Sequence, residues 1–569
     1  MKGFVRRGDG VACRFRSEAQ RPRTPNGIIV SQSAASWVRA VNDFRIPFDG
    51  IIDVEFTLPG VFAFRCRAAS ASGACPRPAQ VLLPHEDALT LSPDPAEIAD
   101  RSRPLCVDLD GTLIKSDSLF DALCQFLRRN PARFWQPPLW LTGGRARLKA
   151  EVARRAPLDA TRLPYNTELL RYLQAERRDG RLIYLATGAD GPLAERVAAH
   201  VGLFAGVLAS DGVTNLTHGK KLASLEARFG EFDYIGNSRA DLPMLVHAHQ
   251  AMLANPTLGL RVAVRLRHIP VARTFRDKRP LPHTLLKAIR IHQWAKNILL
   301  LAPLMLSHKL YPGAFAAVVA AFFCFSFMAS ANYLVNDLLD IESDRRHPAK
   351  RFRPFAAGDL SVSGGIALAL VLILASVALL PRLPHEFALW LAVYIVTTTA
   401  YSFFLKQIAL VDVLVLSGLY TLRMLAGGAA TGTEISHWLA GFSIFLFLSL
   451  AMVKRFSELE NLRERGITAT HGRGYLVADL EQIRSFGTAS ATAAVVVFSL
   501  YISRPAVEAL YKHAGRLWLI VPLMLFWLYR VWLLGSRGEM DDDPVIFAIR
   551  DRVSLAVGAC VLAIAVYAM

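Results

Sequence analysis

Hydrophobic and polar residues are distributed differently along the two halves of the chain. In residues 1–290 charged residues are mixed with short apolar runs, whereas residues 291–569 consist mainly of long apolar runs. Apolar runs of about 17–25 residues have the length of a helix that crosses a bilayer. The pattern therefore predicts a soluble half followed by a membrane-embedded half, and it excludes a purely soluble enzyme.

Nine apolar segments after residue 290 are candidate transmembrane helices, although several are near the lower limit of the length that a bilayer requires. The loops predicted on one side, with their flanks, hold 16 arginine and lysine residues, and the opposite loops hold 5. Because such an excess marks the cytoplasmic side, we expect a multi-pass protein of the inner (plasma) membrane, with a cytoplasmic soluble half and its C-terminus outside. The segments are 295–310, 314–335, 363–381, 386–404, 410–429, 437–453, 485–503, 516–534 and 552–569.

In the soluble half, short apolar strands alternate with helical stretches over residues 101–260. The strands Leu105–Leu109, Leu182–Ala186 and Tyr234–Gly236 each end in a polar turn. This alternation predicts an α/β (Rossmannoid) domain with a parallel sheet, whose site lies at the carboxyl ends of the strands. The helical residues of about 118–180, between the first two strands, predict a cap over that site.

The other segments complete a multidomain chain. Residues 1–100 are predicted to be a poorly ordered leader with one strand-like run, Ile51–Phe56. Residues 261–290 are predicted to be a linker or amphipathic segment. Residues 291–569 are predicted to form an all-α polytopic membrane domain of about nine transmembrane helices.

Composition agrees with this division and excludes other classes of protein. The chain is 53% hydrophobic and 20% charged, against about 45–50% and 25% in soluble domains. The net charge is +18, but many basic residues lie in loops where membrane topology requires them, so we expect no nucleic-acid partner. The seven cysteines are scattered without a CxxC pair, which excludes a secreted disulfide scaffold and gives no indication of a zinc site.

Two carboxylates stand at the end of the first predicted strand. Asp108 and Asp110 are two residues apart in VDLDGT, so alternation along an extended chain puts them on one side, and Gly111 permits a sharp turn. Paired carboxylates at a strand end suit Mg²⁺ and a phosphorylated intermediate. The motif therefore predicts phosphate chemistry.

On this motif and three others in order, the soluble half resembles the haloacid dehalogenase (HAD) phosphatase superfamily. The first motif, DxDGT, corresponds to Asp108–Thr112, and the second corresponds to Thr187. The third corresponds to Lys220 or Lys221, and the fourth corresponds to Gly236–Asp241. The resemblance covers about 150 residues and implies an HAD-like fold.

The resemblance also implies a role for each matched residue. Asp108 would be the nucleophile and Asp110 the general acid/base, and both would be Mg²⁺ ligands together with Asp241. Thr187 and one of the two lysines would hold the phosphoryl oxygens. Asn237 stands where the family usually has aspartate, which puts metal affinity in doubt and leaves open a regulatory domain that binds phosphate without turnover.

A second acidic cluster directly follows the second apolar segment. Asp337, Asp340 and Asp344 have the spacing i, i+3 and i+7, which predicts one face of a helix, and Asn336 is adjacent. Ionisable groups at membrane depth usually mark a functional path. Because Mg²⁺ held by one or two carboxylates completes its shell with water and substrate phosphates, the cluster predicts a diphosphate substrate. The basic residues that follow offer phosphate ligands, namely Arg345, Lys350, Arg351 and Arg353.

Asn336–Asp344 matches NDxxDxxxD, the first motif of the UbiA superfamily of intramembrane prenyltransferases, which the membrane half resembles over about 280 residues. Within that superfamily the chain is most similar to the polyprenyl (decaprenyl)-phosphate phosphoribosyltransferase branch. The strings that carry the similarity are RIHQWAKN (290–297), DRRHPAKRFRP (344–354), YSFFLKQIALVD (401–412), LRMLAGG (422–428), VKRFSEL (453–459) and DDPVIFAIRDR (542–552).

This resemblance implies a sugar diphosphate as donor. Phosphoribosyl diphosphate (PRPP) would be the donor of 5-phosphoribose, and the phosphate of a polyprenyl chain would be the nucleophile. Mg²⁺ on Asp337, Asp340 and Asp344 would neutralise the leaving diphosphate. Lys296, at the cytosolic entrance of the first segment, is a candidate ligand of a PRPP phosphate.

A second polar motif of the branch lies between the fourth and fifth segments. Tyr401, Lys406 and Asp412 match it, and Asp412 is expected to face the interior of the bundle. Arg423 lies deep in the fifth segment, where an unpaired charge has a high free energy. We expect it to meet either the acceptor phosphate or Asp412.

The fusion of two such domains predicts consecutive reactions. The membrane half would make a polyprenyl-phosphoryl-5-phosphoribose, and the HAD half would remove its 5-phosphate, as in the synthesis of ribose or arabinose lipid donors for the cell envelope. Two alternatives remain: an aromatic prenyltransferase that uses a prenyl diphosphate, and a regulatory membrane protein that binds phosphate without catalysis. The sequence also allows a homo-oligomer.

Overall fold

A computed structural model divides the chain into two compact units, residues 1–94 and 95–569. In the first unit, β1 (Gly50–Leu58) and β2 (Val61–Ala68) form an antiparallel hairpin, and β1 contains the strand-like run Ile51–Phe56. The rest of the leader predicted for residues 1–100 lies outside the described residues. The structure describes residues 50–58, 61–68, 102–210, 216, 218–308, 311–464, 466, 473–540 and 544–569.

A six-stranded parallel sheet forms the centre of the soluble part of the second unit. Its strands are β3 (Leu105–Val107), β4 (Ile183–Asp190), β5 (Gly206–Ser210), β6 (Asp233–Gly236), β7 (Ala251–Ala254) and β8 (Val271–Phe275). They follow the order β5-β4-β3-β6-β7-β8. Leu105 of β3 lies opposite Ile183 of β4 and Asp233 of β6, so the carboxyl ends of these three strands are neighbours. The predicted α/β class is confirmed.

Eight α-helices alternate with these strands. They are α1 (Ser118–Arg129), α2 (Gln136–Thr142), α3 (Arg145–Arg155), α4 (Thr167–Arg178), α5 (Gly191–Val201), α6 (His218–Phe229), α7 (Leu242–His247) and α8 (Leu258–Leu266). The first four lie between β3 and β4, where the sequence predicts a cap. Asp117 caps α1 by accepting hydrogen bonds from the backbone N–H groups of Leu119 and Phe120. Phe126 and Trp140 hold α1 against α2 with ring centroids 5.1 Å apart.

The segment predicted as a linker, residues 261–290, is largely built into the fold. It contains the end of α8, then β8, which pairs with β7, and then α9 (Leu281–Ile289). Phe275 in β8 is fully buried, and burying an aromatic ring of this size stabilises the strand in the sheet. The alternation of β8 was too short to be recognised without its partner strand.

Helices dominate the chain after residue 301. They are α10 (Ala302–Leu306), α11 (Pro312–Leu339), α12 (Ile341–Arg346), α13 (Val362–Leu379), α14 (His385–Phe403), α15 (Val411–Thr431), α16 (His437–Glu464), α17 (Leu480–Ile502), α18 (Pro505–Glu508), α19 (Ile520–Ser536), α20 (Pro544–Arg550) and α21 (Arg552–Ala568). The multidomain architecture of an α/β domain followed by a polytopic helical domain is therefore confirmed. Helix α1 of the soluble part packs against α11 and α12.

Seven helices in the described part of the chain are long and apolar enough to cross a membrane, so the predicted number of nine is not confirmed. The predicted segment at 295–310 consists of 3₁₀ turns over Ile291–Leu301 followed by the short α10. The last predicted segment is α21, which has 17 residues and is about 26 Å long at 1.5 Å per residue. This is somewhat less than the hydrocarbon thickness of about 30 Å.

The 3₁₀ segment packs closely on α15 at a glycine. A Cβ atom on Gly427 would overlap the backbone carbonyl of Leu300. Leu300 itself is fully buried, and backbone atoms cannot move aside as the end of a flexible side chain can. The segment can therefore approach α15 this closely only because residue 427 is glycine.

We expect Gly427→Ala to destabilise the membrane domain by about 1–3 kcal/mol, the usual cost of forcing extra atoms into a packed core. The measurement is thermal unfolding of the detergent-solubilised protein. Gly418→Ala in the same helix is the matched control, because a Cβ there meets no atom within 4 Å. Equal melting temperatures for the two variants would contradict this packing.

Candidate functional site

The first candidate site lies where β3, β4 and β6 end. Asp108 directly follows β3 and is buried, and the Lys221 ammonium of α6 donates to its Oδ1 at 2.8 Å. The same ammonium is 3.6 Å from Oδ1 of Asp241, which follows β6. Thr187 in β4 is buried, and its hydroxyl accepts a hydrogen bond from the backbone N–H of Ala189 at 3.0 Å. The sheet thus gathers polar residues from four separate parts of the sequence.

Only one of the two adjacent candidate lysines lies at this edge. Lys221 is buried against Asp108, whereas Lys220 is exposed. Successive residues of a helix point in directions about 100° apart, since the helix has 3.6 residues per turn. The structure therefore places Lys221, and not Lys220, beside Asp108.

Asp110 and Gly111 shape the loop that follows Asp108. Oδ1 of Asp110 accepts a hydrogen bond from the backbone N–H of Ser118 at 2.7 Å. Gly111 has φ +75°, and a Cβ at this position would overlap the Asn237 side chain. The loop therefore needs glycine for both its conformation and its close approach. Asn237, the residue that departs from the HAD motif, lies directly against the first motif.

Burial raises the pKa of both carboxyl groups in the first motif. The pKa of Asp108 is raised to about 6, since burial and the Asp241 carboxylate outweigh the Lys221 ammonium. The pKa of Asp110 is raised to about 8 by burial and by the carboxylates of Asp117 and Asp108. Burial alone lowers the pKa of Lys221, but Asp108 and Asp241 raise it overall. Burial and mutual repulsion thus disfavour the charged forms of these two carboxyl groups.

These oxygen atoms fit Mg²⁺. Asp108, Asp110 and Asp241 offer carboxylates and Asn237 offers an amide oxygen, which are the hard ligands that Mg²⁺ takes, and a cation would relieve the repulsion among the carboxylates. In the described part of the chain, no group of three or more acidic, histidine or cysteine side chains is close enough to hold a metal ion by itself. The site therefore fits an Mg²⁺ ion that takes part of its coordination shell from a substrate phosphate and water.

The second candidate site lies at the C-terminal end of α11. Asp337 is buried in the last turn of this helix between two guanidinium groups, with Nη2 of Arg290 at 2.6 Å and Nη1 of Arg353 at 3.0 Å from its Oδ1. Nη1 of Arg353 is also 2.8 Å from Oδ2 of Asp344. The two aspartates are therefore joined through one arginine.

The three aspartates do not lie on one continuous helix, in contrast to the face that their spacing predicts. Helix α11 ends at Leu339 and α12 begins at Ile341, so Asp340 stands at the break. Its Oδ1 is 3.1 Å from Nε of Arg128, and its Oδ2 is 4.0 Å from Nζ of Lys406. The break gives Asp340 a different set of basic neighbours from Asp337.

The predicted phosphate ligands in the last turn of α11 and after it divide into two groups. Asn336, Lys350 and Arg353 line the large cavity beside α11. Arg345 turns the other way and donates to Oδ2 of Asp121 in α1 at 2.8 Å. Its role in this structure is a contact between the soluble and membrane parts of the chain.

Residues of the second polar motif also differ in whether they line this cavity. Asp412 is fully buried and accepts hydrogen bonds from the Tyr401 hydroxyl at 2.7 Å and from Nε of Arg455 at 2.5 Å. Arg455 extends the network to Glu458 at 2.6 Å. The cavity is lined by Tyr401, Lys406, Arg455 and Glu458. Asp412 does not line the cavity, but it holds Tyr401 and Arg455 through these hydrogen bonds.

Arg423 lies deep in α15 and, among the residues that the structure describes, is paired with neither Asp412 nor another carboxylate. Its Nε donates to Oδ1 of Asn297 at 2.9 Å, and its Nη1 donates to the Leu419 carbonyl at 2.6 Å. The guanidinium also lies 5.0 Å from the ring centroid of Tyr394, at a distance favourable for a cation–π interaction. Arg423 and Lys296 both line the cavity.

A cavity of about 1610 Å³ is lined by many of these residues, although Asp337, Arg345 and Asp412 are not among them. Four acidic side chains line it: Asp340, Glu342, Asp344 and Glu458. Thirteen basic side chains face them, so the cavity is strongly positive and suits anionic ligands. They are Arg128, Arg129, Arg290, Lys296, Arg346, Lys350, Arg353, Lys406, Arg423, Lys454, Arg455, Arg473 and Arg550.

The three aspartates of this motif, of which Asp340 and Asp344 line the cavity and Asp337 does not, fit Mg²⁺ that arrives with a phosphate ligand. Asp337, Asp340 and Asp344 provide only oxygen donors, and Asn336 adds an amide oxygen beside them. Their carboxylates are at present compensated by arginine and lysine rather than gathered around one point. A metal that uses one or two carboxylates together with phosphate oxygens and water fits this arrangement, whereas an all-protein cage does not.

Sequence reasoning missed three residues of the second site. Arg290 stands in the string RIHQWAKN but was not singled out, and Arg455 could not be distinguished from a topology signal. Arg128 lies in α1 of the soluble part, more than 200 positions before the aspartate that it contacts. Ion pairs with Asp337, Asp412 and Asp340 would have indicated all three, but these contacts depend on the tertiary fold.

Two family models match the chain, namely the UbiA prenyltransferase family over residues 298–550 and the haloacid dehalogenase-like hydrolases over residues 105–246. A decaprenyl-phosphate phosphoribosyltransferase of Mycobacterium tuberculosis is 34% identical over 273 residues, which are 47% of this chain and 88% of the relative. The chain belongs to the UbiA prenyltransferase family. Both family resemblances predicted from the sequence are confirmed, and the protein is a transferase of this family that carries an HAD-like domain.

Another relative spans both matched domains. An uncharacterised protein of Sinorhizobium fredii, y4nM, is 39% identical over 479 residues, which are 83% of this chain and 92% of the relative. This alignment is too long to omit either matched domain. The solved structure of a UbiA homolog from Archaeoglobus fulgidus, bound to GPP and Mg²⁺, covers 49% of this chain and 99% of that chain at 17% identity and a TM-score of 0.38.

Arg455→Ala in this UbiA-family protein should lower the free energy of unfolding by about 3–5 kcal/mol, because it leaves Asp412 buried and uncompensated. The matched control is Arg484→Ala, which removes an exposed arginine paired with Glu481 within α17 and should change stability little. Thermal unfolding in detergent measures both variants. Equal melting temperatures for the two variants would contradict the role given to the buried pair of Arg455 and Asp412.

Proposed function

We propose that the membrane domain transfers 5-phosphoribose from PRPP to the phosphate of a polyprenyl lipid and releases diphosphate. The observation that carries the proposal is the excess of basic over acidic side chains in the cavity. Both substrates present phosphate at the reacting end, so a phosphoribosyl transfer needs several basic ligands at once. The name of the mycobacterial relative supports the same donor and acceptor.

In this reaction the C1–O bond of ribose to diphosphate breaks, and a bond forms between C1 and an oxygen of the lipid phosphate. Asp337, Asp340 and Asp344 would hold Mg²⁺, which when bound neutralises charge on the leaving diphosphate. Lys296 and Lys350 lie where they would bind substrate phosphates. The acceptor is already an anion and needs no general base, so positioning and charge stabilisation would account for catalysis.

The HAD-like domain would remove the 5-phosphate from the product. Asp108 would attack phosphorus and displace the ribose 5-oxygen, which Asp110 would protonate. Asp110 would then take a proton from the water that hydrolyses the aspartyl-phosphate. Lys221 and Thr187 would hold the phosphoryl oxygens, and Asp241 would help to hold Mg²⁺. The products are inorganic phosphate and polyprenyl-phosphoryl-ribose.

We place this chemistry at the cytoplasmic side of the inner membrane, with the C-terminus outside. The basic loops support the orientation. The contact of α1 with the end of α11 also supports it, since the HAD-like domain and the acidic motif then share one side. A lipid-linked ribose made there would serve as a precursor of a pentose donor for cell-envelope glycans.

The test of the transferase uses membranes that contain the full chain, PRPP labelled at its 5-phosphate, polyprenyl phosphate and Mg²⁺. We expect label to enter the organic phase with wild type and the transfer rate to fall at least a hundredfold with Asp340→Asn. A chelator should abolish transfer. Replacing PRPP by a prenyl diphosphate and an aromatic acceptor tests the alternative prenyltransferase. Product from that pair alone would overturn the phosphoribosyl proposal.

The test of the HAD-like domain compares Asp108→Asn with wild type in the same assay. The variant should accumulate lipid-borne 5-phosphate label, and wild type should convert that label to free phosphate. Lys221→Ala should resemble Asp108→Asn, whereas Lys220→Ala should resemble wild type because Lys220 is exposed. Equal phosphate release by Asp108→Asn and wild type would rule out the proposed phosphatase step.

A further inference from the structure

Helix α1 of the HAD-like domain reaches both candidate sites. At its beginning the backbone N–H of Ser118 donates to Oδ1 of Asp110 at 2.7 Å. In its last turn Nε of Arg128 is 3.1 Å from Oδ1 of Asp340. Ser118 and Arg128 are ten residues apart in this helix, so their backbones are about 15 Å apart along its axis. One rigid element thus joins the phosphatase motif to the acidic motif of the transferase.

Buried and partly buried ion pairs fix this helix on the membrane domain. The Arg345 and Asp121 side chains are 6% and 1% exposed, and Nη2 of Arg345 is 2.8 Å from Oδ2 of Asp121. One turn further Gln125 donates to Oε2 of Glu342, and two turns further Nη2 of Arg129 is 3.1 Å from the same oxygen. Contacts on successive turns leave the helix little freedom to rotate or slide. The position of Arg128 is therefore determined by the docking of the whole helix.

Arg128 is held at the wall of the transferase cavity. Its Nη1 donates to the Ser402 carbonyl at 3.4 Å, and its guanidinium lies 5.3 Å from the ring centroid of Phe403 in α14. The side chain remains 25% exposed and lines the cavity together with Lys406. Because Lys406 is also close to Asp340, two basic groups flank the carboxylate at the helix break.

We propose that Arg128 binds a substrate phosphate in the transferase site, so that the HAD-like domain supplies part of that site. The guanidinium group offers a planar pair of donors that matches phosphate oxygens. Once Asp340 takes part in binding a metal and diphosphate, Arg128 lies beside the incoming phosphate oxygens. Assignment of this phosphate to PRPP or to polyprenyl phosphate rests on the proposed function.

The experiment measures KM and kcat of the full chain for PRPP and for a short polyprenyl phosphate, in Arg128→Ala, Arg128→Lys and the control Arg133→Ala. Arg133 carries the same charge on the same domain but is exposed and is not among the residues that line the cavity. Arg128→Ala should raise one of the two KM values about tenfold or more, as expected for a lost hydrogen bond to a charged group. Arg128→Lys should recover part of the loss, and Arg133→Ala should stay within twofold of wild type.

Hydrolysis of p-nitrophenyl phosphate by the HAD-like domain reports whether the variants remain folded, and it should be unchanged in all three. Loss of this hydrolysis in Arg128→Ala would mean that the substitution disturbs the fold, so that a changed KM reports structure rather than phosphate binding, which overturns the proposal. KM values within twofold of wild type for both substrates would also overturn it and leave the transferase function intact.

A wild type that makes no phosphoribosyl lipid would overturn the proposed function instead. In that case the role of Arg128 in phosphate binding can still be tested. The measurement is Mg²⁺-dependent binding of inorganic diphosphate to wild type and to Arg128→Ala. Weaker binding by the variant supports the inference for another diphosphate substrate. Equal binding overturns it.

Discussion

Compensation of buried carboxylates by basic groups is the interaction on which the membrane domain depends. Asp337 and Asp412 are each almost fully buried, and each is matched by an arginine from a distant part of the chain. Charges in a low-dielectric interior are tolerated only when they are paired and hydrogen-bonded. The pairings therefore fix how α11, α15 and α16 pack, and they also keep basic groups in the cavity for phosphate.

The same principle joins the two domains. Arg345 follows the acidic motif in sequence, but it is used to hold Asp121 of the HAD-like domain rather than to line the cavity. Through this contact α1 lies beside the transferase cavity, which Arg128 lines. The first turn of α1 is hydrogen-bonded to the phosphatase motif. Two successive reactions on one lipid would benefit from this short separation, because the product need not diffuse far between sites.

Local features of the sequence predicted much of the fold and of both sites. Asp108 and Asp110 follow an apolar run, and Asp337, Asp340 and Asp344 follow another, so the chemistry is visible wherever reacting groups are close in sequence. The helical breaks were harder to predict. The 3₁₀ turns before α10 and the end of α11 at Leu339 depend on packing, such as the close approach of Leu300 to Gly427. The 3₁₀ turns account for one of the two predicted spans that are not confirmed, and the other is α21, which has only 17 residues.

The sequence by itself determined the family, the order of domains and the acidic motifs, since these depend on periodicity and short spacing. Only the tertiary structure decided that Lys221 rather than Lys220 contacts Asp108, that Arg455 rather than Arg423 pairs with Asp412, and that Arg128 reaches Asp340. Each choice is a contact between residues far apart in the chain. Burial and electrostatic pairing select such contacts, and both exist only after the elements have packed.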